Sequence, residues 1–114
     1  MEEKAKFFKI LSDPNRLRIL KMLQIKPLCV CEITDVLSLA TSTVSQHLKI
    51  LKEYGFIIEE KDGKWVNYEI HPNPSDKRIS ALLSSLDFWI SDESSILSDK
   101  EKVLQTDRVT SCAK

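Results

Sequence analysis

Residues 41–70, TSTVSQHLKILKEYGFIIEEKDGKWVNYEI, decide the fold. Thr41 is placed to cap a helix that runs from Ser42 to Tyr54. Val44, Leu48 and Leu51 recur at i, i+4 and i+7, so they share an inward face. Gly55 follows where a glycine ends a helix. Two runs rich in β-branched and aromatic residues come next, Phe56 to Glu60 and Trp65 to Ile70. Lys61-Asp62-Gly63-Lys64 joins them, and Asp-Gly is a strong hairpin signal. A polar helix followed at once by a β-hairpin predicts a winged helix-turn-helix.

The preceding residues supply the rest of that unit. Lys4 to Leu11 carries Phe7, Phe8 and Leu11 at helical spacing. Ser12-Asp13-Pro14 stops it. Asp13 caps the next helix and Pro14 opens it, because the N–H that proline lacks has no partner there anyway. Leu17, Leu20 and Leu23 form its apolar stripe, with Arg16, Arg18 and Lys21 beside them, and Lys26-Pro27 closes it. Leu28 to Leu37 is expected to be helical throughout, burying Ile33, Val36 and Leu37. Ser38-Leu39-Ala40 is the tight turn.

After the hairpin, His71-Pro72-Asn73-Pro74 breaks the chain. A long amphipathic segment from Ser75 holds Ile79, Leu82, Leu83, Leu86, Trp89 and Ile90. It is too apolar to lie alone on a surface, so it is expected to pack on the first helix and on a second copy. The fold class is therefore α+β, mostly helical, with a two-stranded β-hairpin wing and dimerising terminal helices. Residues 1–97 are expected to form the winged-helix and dimerisation domain, and residues 98–114 a polar tail. That tail is either a short helix over Lys100 to Val109, started by the Ser98-Asp99-Lys100-Glu101 capping box, or disordered.

Composition narrows the function. The chain has 114 residues, 42% apolar and 30% charged, which gives one core and one domain. No apolar run reaches the roughly 20 residues of a membrane span, and the charged N-terminus lacks a secretory core. A cytoplasmic protein is expected, with its three cysteines as thiols. Net charge is zero, which argues against bulk electrostatic attraction to nucleic acid. Basic residues exceed acidic ones seven to three over residues 1–26, but fall short four to seven over 27–70 and six to seven over 71–114. Contacts to DNA must then come from few side chains, and dimerisation must supply affinity. No nucleophile–base pair, paired carboxylates or phosphate loop points to an enzyme.

The outward side of the helix over residues 42–54 offers Ser42, Thr43, Ser45, Gln46, His47 and Lys49. Thr43, Gln46 and His47 are expected to reach bases, with Gln46 suited to adenine. Ser42, Ser45 and Lys49 would hold phosphates, and Lys61 and Lys64 at the hairpin tip would reach backbone or minor groove.

These motifs, in this order, resemble the ArsR/SmtB family of winged-helix repressors. Asp13-Pro14-Asn15-Arg16-Leu17-Arg18-Ile19-Leu20 looks like its second-helix motif, Thr43 to Leu51 like its recognition helix, and Gly63-Lys64-Trp65-Val66-Asn67-Tyr68 like its wing. The resemblance implies a homodimer that represses from a twofold-related operator on double-stranded DNA. Leu28-Cys29-Val30-Cys31-Glu32-Ile33 is similar to the motif of the arsenite-responsive and cadmium/lead-responsive branches. It implies that Cys29 and Cys31 bind a thiophilic ion, As(III) or Sb(III), as an inducer rather than a permanent cofactor, and that DNA is then released.

A position near a helix N-terminus favours the thiolate. On a regular helix, residues i and i+2 point to different sides, so two-thiol capture is expected to unwind or tilt Leu28 to Glu32. Coupling of this kind is typically about 1–3 kcal/mol. Thr34 stands where some arsenite sensors have a third cysteine. Cys112 supplies a third ligand, from the same or the partner subunit, or is an inert tail residue. A two-thiolate site completed by water or a small thiol would also suit methylated arsenic. No cysteine precedes Cys29, which weakens the cadmium/lead reading. Residues 75–104 hold no histidine, which removes a zinc or nickel site there. The other readings are a thiol redox or persulfide switch pairing Cys29 or Cys31 with Cys112, and a thiol-metal buffer that does not bind DNA.

Overall fold

In the computed structural model, which describes residues 1–112, Asp13 caps a helix that Pro14 begins. Asp13 Oδ1 accepts from the Asn15 N–H at 2.8 Å. This helix, α2 (Pro14–Ile25), follows α1 (Glu2–Ile10) and is followed by a short strand β1 (Leu28–Cys29), α3 (Val30–Leu37) and α4 (Thr41–Glu53). The wing is β2 (Ile57–Asp62) and β3 (Trp65–Ile70), and the chain ends with α5 (Lys77–Trp89), α6 (Ser94–Gln105) and α7 (Arg108–Cys112).

Ile19, Leu20, Met22, Ile33, Val44, Leu48, Leu51, Phe56 and Ile57 are fully buried, or nearly so, at the centre of the core. The inward face predicted for the recognition helix, Val44, Leu48 and Leu51, lies within it. Phe7 ties α1 down by stacking on Phe56 with ring centroids 5.4 Å apart, and the Arg78 guanidinium of α5 lies 4.5 Å from the other partner in that stack, the Phe7 ring. Gly55 ends α4 at φ 80°, and Gly63 turns the hairpin at φ 62°. Both conformations favour glycine over any residue with a Cβ.

Several expectations change. The wing is the expected two-stranded hairpin of β2 and β3, and β1 adds a third strand to it in the order β1-β3-β2. Leu28 and Cys29 pair antiparallel with Tyr68 and Asn67, so α3 begins only at Val30. A helix over the whole of Leu28 to Leu37 fails because Pro27 and Leu28 leave α2 extended, and β3 offers a free edge to bond. The cap of α4 is Ala40, whose side chain cannot bond, and Thr41 is already helical. Residues 98–112 do not form a loose tail. Glu93 is the N-cap of α6, so this helix starts ahead of the Ser98 capping box and crosses the expected boundary at 97/98. It packs on α2 and α3, with Val103 and Asp99 buried. Among the described residues, no helix is long and apolar enough to cross a membrane.

Candidate thiol site and DNA-reading surface

The junction of β1 and α3 shapes the thiol site. Cys29 is the N-cap of α3 with extended backbone, φ −87° and ψ 167°. Glu32 reaches back one turn, and its Oε1 accepts from the Cys29 N–H at 3.1 Å. The Cys29 sulfur faces the Glu32 N–H in return, so the pair forms a capping box with sulfur in place of a hydroxyl. The other Glu32 oxygen accepts from the Thr106 hydroxyl at 2.9 Å. Glu32 is buried and has partners on both oxygens, which explains an acid so close to two thiols.

Because Cys29 is extended and Cys31 is helical, the i, i+2 argument for a regular helix does not apply. Opposed directions do not separate the sulfurs. The Sγ atoms of Cys29, Cys31 and Cys112 all lie within 4.8 Å of one another. Cys31 and Cys112 are joined as a disulfide with Cα atoms 5.2 Å apart. The Cys29 and Cys112 sulfurs are 3.9 Å apart. The three sulfurs come from one chain, and no unwinding of Leu28 to Glu32 is needed to bring them together. Thr34 plays no comparable part: its hydroxyl donates to the Cys31 carbonyl at 2.8 Å.

The electrostatics of Cys29 also differ from expectation. Burial pushes its thiol pKa up, and the Glu32 charge adds to that rise, while the Glu32 and Cys31 N–H groups pull the other way. Desolvation wins over the helix terminus because the sulfur is only 3% exposed. Cys29 is thus a sheltered thiol that holds its proton more tightly than a free one, and Cys31 and Cys112 lie half-buried beside it.

On α4, Ser42, Thr43, Ser45, Gln46 and Lys49 are exposed, as are Lys61 and Lys64 at the wing tip. His47 is not part of that surface. It is 9% exposed, and its Nδ1 has no hydrogen-bond partner among the described residues. Its place beside Leu48 and one turn from Val44 and Leu51 puts it on the inward half of α4, away from the exposed face expected to meet bases. An ion pair between Lys52 and Glu59 joins the end of α4 to the wing.

Sequence reasoning missed Glu32, Thr106 and Arg108 around the site. Arg108 donates to Asn67 Oδ1 at 3.1 Å and to Asp62 Oδ2 at 2.9 Å, both on the wing. The capping-box form of Cys29 and Glu32 was detectable, since Glu stands at the third position after the cap. Nothing local marks Thr106 or Arg108.

Residues 13–59 match the family described as bacterial regulatory protein, arsR family. The arsenic resistance transcriptional regulator ArsR1 of Pseudomonas putida is 33% identical over 88 residues, covering 74% of this chain and 69% of that protein. The chain belongs to the ArsR family. Members of this family are DNA-binding transcriptional regulators and not enzymes. The arsenical resistance operon repressor of Escherichia coli is 40% identical over 67 residues, 58% of this chain and 57% of that protein. The cadmium resistance regulator CadC of Listeria innocua is 48% identical over 65 residues, 56% of this chain and 55% of that protein. The chain's match thus spans little more than half the length of these two ArsR-family relatives.

Two solved structures share the architecture. Reduced HlyU from Vibrio cholerae superposes with a TM-score of 0.65 at 28% identity, over 78% of this chain and 93% of that one. The homodimeric winged helix-turn-helix domain of Mb0332 from Mycobacterium bovis gives 0.65 at 22% identity, over 82% of each chain, and so speaks for the fold alone.

Proposed function

We propose that this ArsR-family regulator is an arsenite- or antimonite-responsive repressor. It binds operator DNA as a homodimer in the cytoplasm and lets go when Cys29, Cys31 and Cys112 take up the ion. The observation that carries this reading is the cluster of three sulfurs within 4.8 Å of one another, built from the start of α3 and the end of α7 of one subunit. As(III) and Sb(III) favour three soft thiolates. Once a thiol reductant has opened the Cys31–Cys112 disulfide to two thiols, arsenous acid can exchange its three hydroxyls for three thiols, each thiol proton leaving with a hydroxyl as water. No further His, Cys, Asp or Glu joins the cluster among the described residues, which suits a three-coordinate ion better than tetrahedral zinc.

On the DNA side, Thr43 and Gln46 are the base readers, Ser42, Ser45 and Lys49 the phosphate contacts on α4, and Lys61 and Lys64 those on the wing. Exposed Phe8 on α1 and exposed Phe88 and Trp89 on α5 offer the apolar surface that a second copy would cover.

A second reading has its own observation. The Cys31–Cys112 disulfide favours a thiol redox switch in which oxidant, not ion, changes DNA affinity.

The deciding experiment is fluorescence anisotropy on the protein's own promoter fragment under reducing conditions, titrated with As(III), Sb(III), Cd(II) and Zn(II). Release by As(III) or Sb(III), lost in Cys31→Ser, is the expected outcome. Release by Cd(II) alone would move the protein to the company of the cadmium regulators. Indifference to all four ions, with release by peroxide, would establish the redox reading.

A further inference from the structure

We infer that α7 is a strap that carries the state of the thiol cluster to the wing, with Arg108 as the latch at its far end. The inference rests on the proposed function only for the ion that closes the strap in the cell.

α7 has five residues, and functional contacts sit at both its ends. Cys112 meets Cys31 and Cys29 at the start of α3. Arg108, one helical turn earlier, grips the wing. Its two terminal nitrogens donate to Asp62 Oδ2 at 2.9 Å and Asn67 Oδ1 at 3.1 Å, and its guanidinium carbon lies 5.5 Å from the centre of the Trp65 ring. Asp62 and Trp65 are the paired residues that close the hairpin, directly beside its turn. Asn67 pairs across β3 with both Glu60 and Cys29. One guanidinium therefore touches both strands of the wing, at its closing pair and two positions further along β3. Ahead of it, the Thr106 hydroxyl bonds Glu32, the same carboxylate that holds the Cys29 N–H.

The strength of these contacts is as important as their placement. Asp62 is 58% exposed and Arg108 32% exposed, and exposed ion pairs hold little by themselves. They become effective when α7 is already pinned nearby, because the second contact is then intramolecular. A covalent bond or a shared ion at Cys112 supplies the pin. With the thiols open, α7 leaves and the wing is free to seat on DNA. With them closed, Arg108 fixes the wing tip between Lys61 and Lys64, the two lysines offered to DNA. The differential contact required for switching is thus the Arg108 grip, made in the closed state alone.

The test uses the full chain with Trp89→Phe, which leaves Trp65 as the sole tryptophan. Diamide closes the strap without any ion: it takes one hydrogen from each of two thiols and is reduced to the hydrazine, while Cys31 and Cys112 form their S–S bond. Closure should shift Trp65 emission and leave one free thiol of the three. Arg108→Ala should form the same disulfide, by mass and thiol count, with no Trp65 shift. Arg108→Gln keeps a long polar side chain on α7 and must behave alike, which guards against a folding artefact. With Trp89 restored, both Arg108 variants should still bind As(III), and the ion-induced loss of operator affinity should shrink on the order of tenfold. A Trp65 shift that persists without Arg108, or failure of the Cys31–Cys112 bond to form, would overturn the strap. An Arg108-dependent shift with diamide, beside As(III) that never releases DNA, would keep the strap and sink the arsenite reading.

Discussion

Arg18 on α2 and Asp99 on α6 face each other across 81 positions of sequence and join through two parallel hydrogen bonds of 2.8 Å each. Asp99 is 3% exposed as a side chain, and Arg18 25%. Arg18 belongs to the motif that marks the second helix, so the conspicuous basic position there serves the C-terminal helix and not DNA. The pair is the polar seam between α2 and α6, next to the apolar one made by Val103.

Asp99→Ala should therefore act on folding first. Removing one partner leaves a partly buried guanidinium with only the weak 3.4 Å contact to Asn15, and breaking such a pair costs about 3 kcal/mol or more. That is a large share of the stability of a small domain. Urea unfolding should show the loss directly. A cost below about 1 kcal/mol, the level of an exposed pair, would mean that α6 is not held by this seam.

His47 gives a prediction against its own sequence pattern. Its ring is buried with an unpaired Nδ1, and an unsatisfied buried polar group costs about 1–3 kcal/mol. His47→Leu should hold or raise the unfolding midpoint, and the ranking of operator variants should stay as in the parent. A changed preference at one base pair would return His47 to the reading surface.

The helix-turn-helix and its wing were legible because periodicity alone sets them: Val44, Leu48 and Leu51 inward, Asp62-Gly63 at the turn. His47 defeated that reading because a polar residue one position before Leu48 falls on the flank of the stripe, where type and position disagree. The thiol site was legible as a local pair, with Cys112 open between a third ligand and an inert residue. Cys29-Val30-Cys31 is local, whereas the approach of Cys112 depends on α6, whose burial rests on a contact 81 positions away. The short strand β1 was hidden for a similar reason. Two residues carry no period, and their state is fixed by the edge of β3.

Cys29 makes the chemistry of the site depend on pH in a definite sense. Its pKa is raised by burial, so the folded protein holds the proton more tightly than the unfolded chain, where a free thiol titrates near about 8.5. Stability from this group is present below that ordinary value and is lost as pH rises through the raised one. With the Cys31–Cys112 disulfide closed, the parent protein should lose urea stability across the alkaline range more steeply than Cys29→Ala. Parallel curves would remove the sheltered thiol from the account. In the reduced protein, iodoacetamide should also reach Cys31 and Cys112 well before Cys29.

The reading surface on α4 and the wing yields two separable effects on DNA. Gln46 is exposed on the recognition helix, one turn beyond Ser42 and Thr43 and ahead of Lys49. A side chain that bonds a base at two atoms contributes discrimination at that position, so Gln46→Ala should cost about 1–3 kcal/mol at one base pair and relax preference there. Lys61 and Lys64 lie at the wing tip, where phosphates are the expected partners, and phosphate contacts position without specifying. Lys61→Ala and Lys64→Ala should weaken all operator variants alike, each lowering the salt slope of log K by about 1. Anisotropy over a salt series, with single-base operator variants, separates the two. If Gln46→Ala weakens every variant equally while a lysine change alters sequence preference, the roles of helix and wing in this chain are reversed.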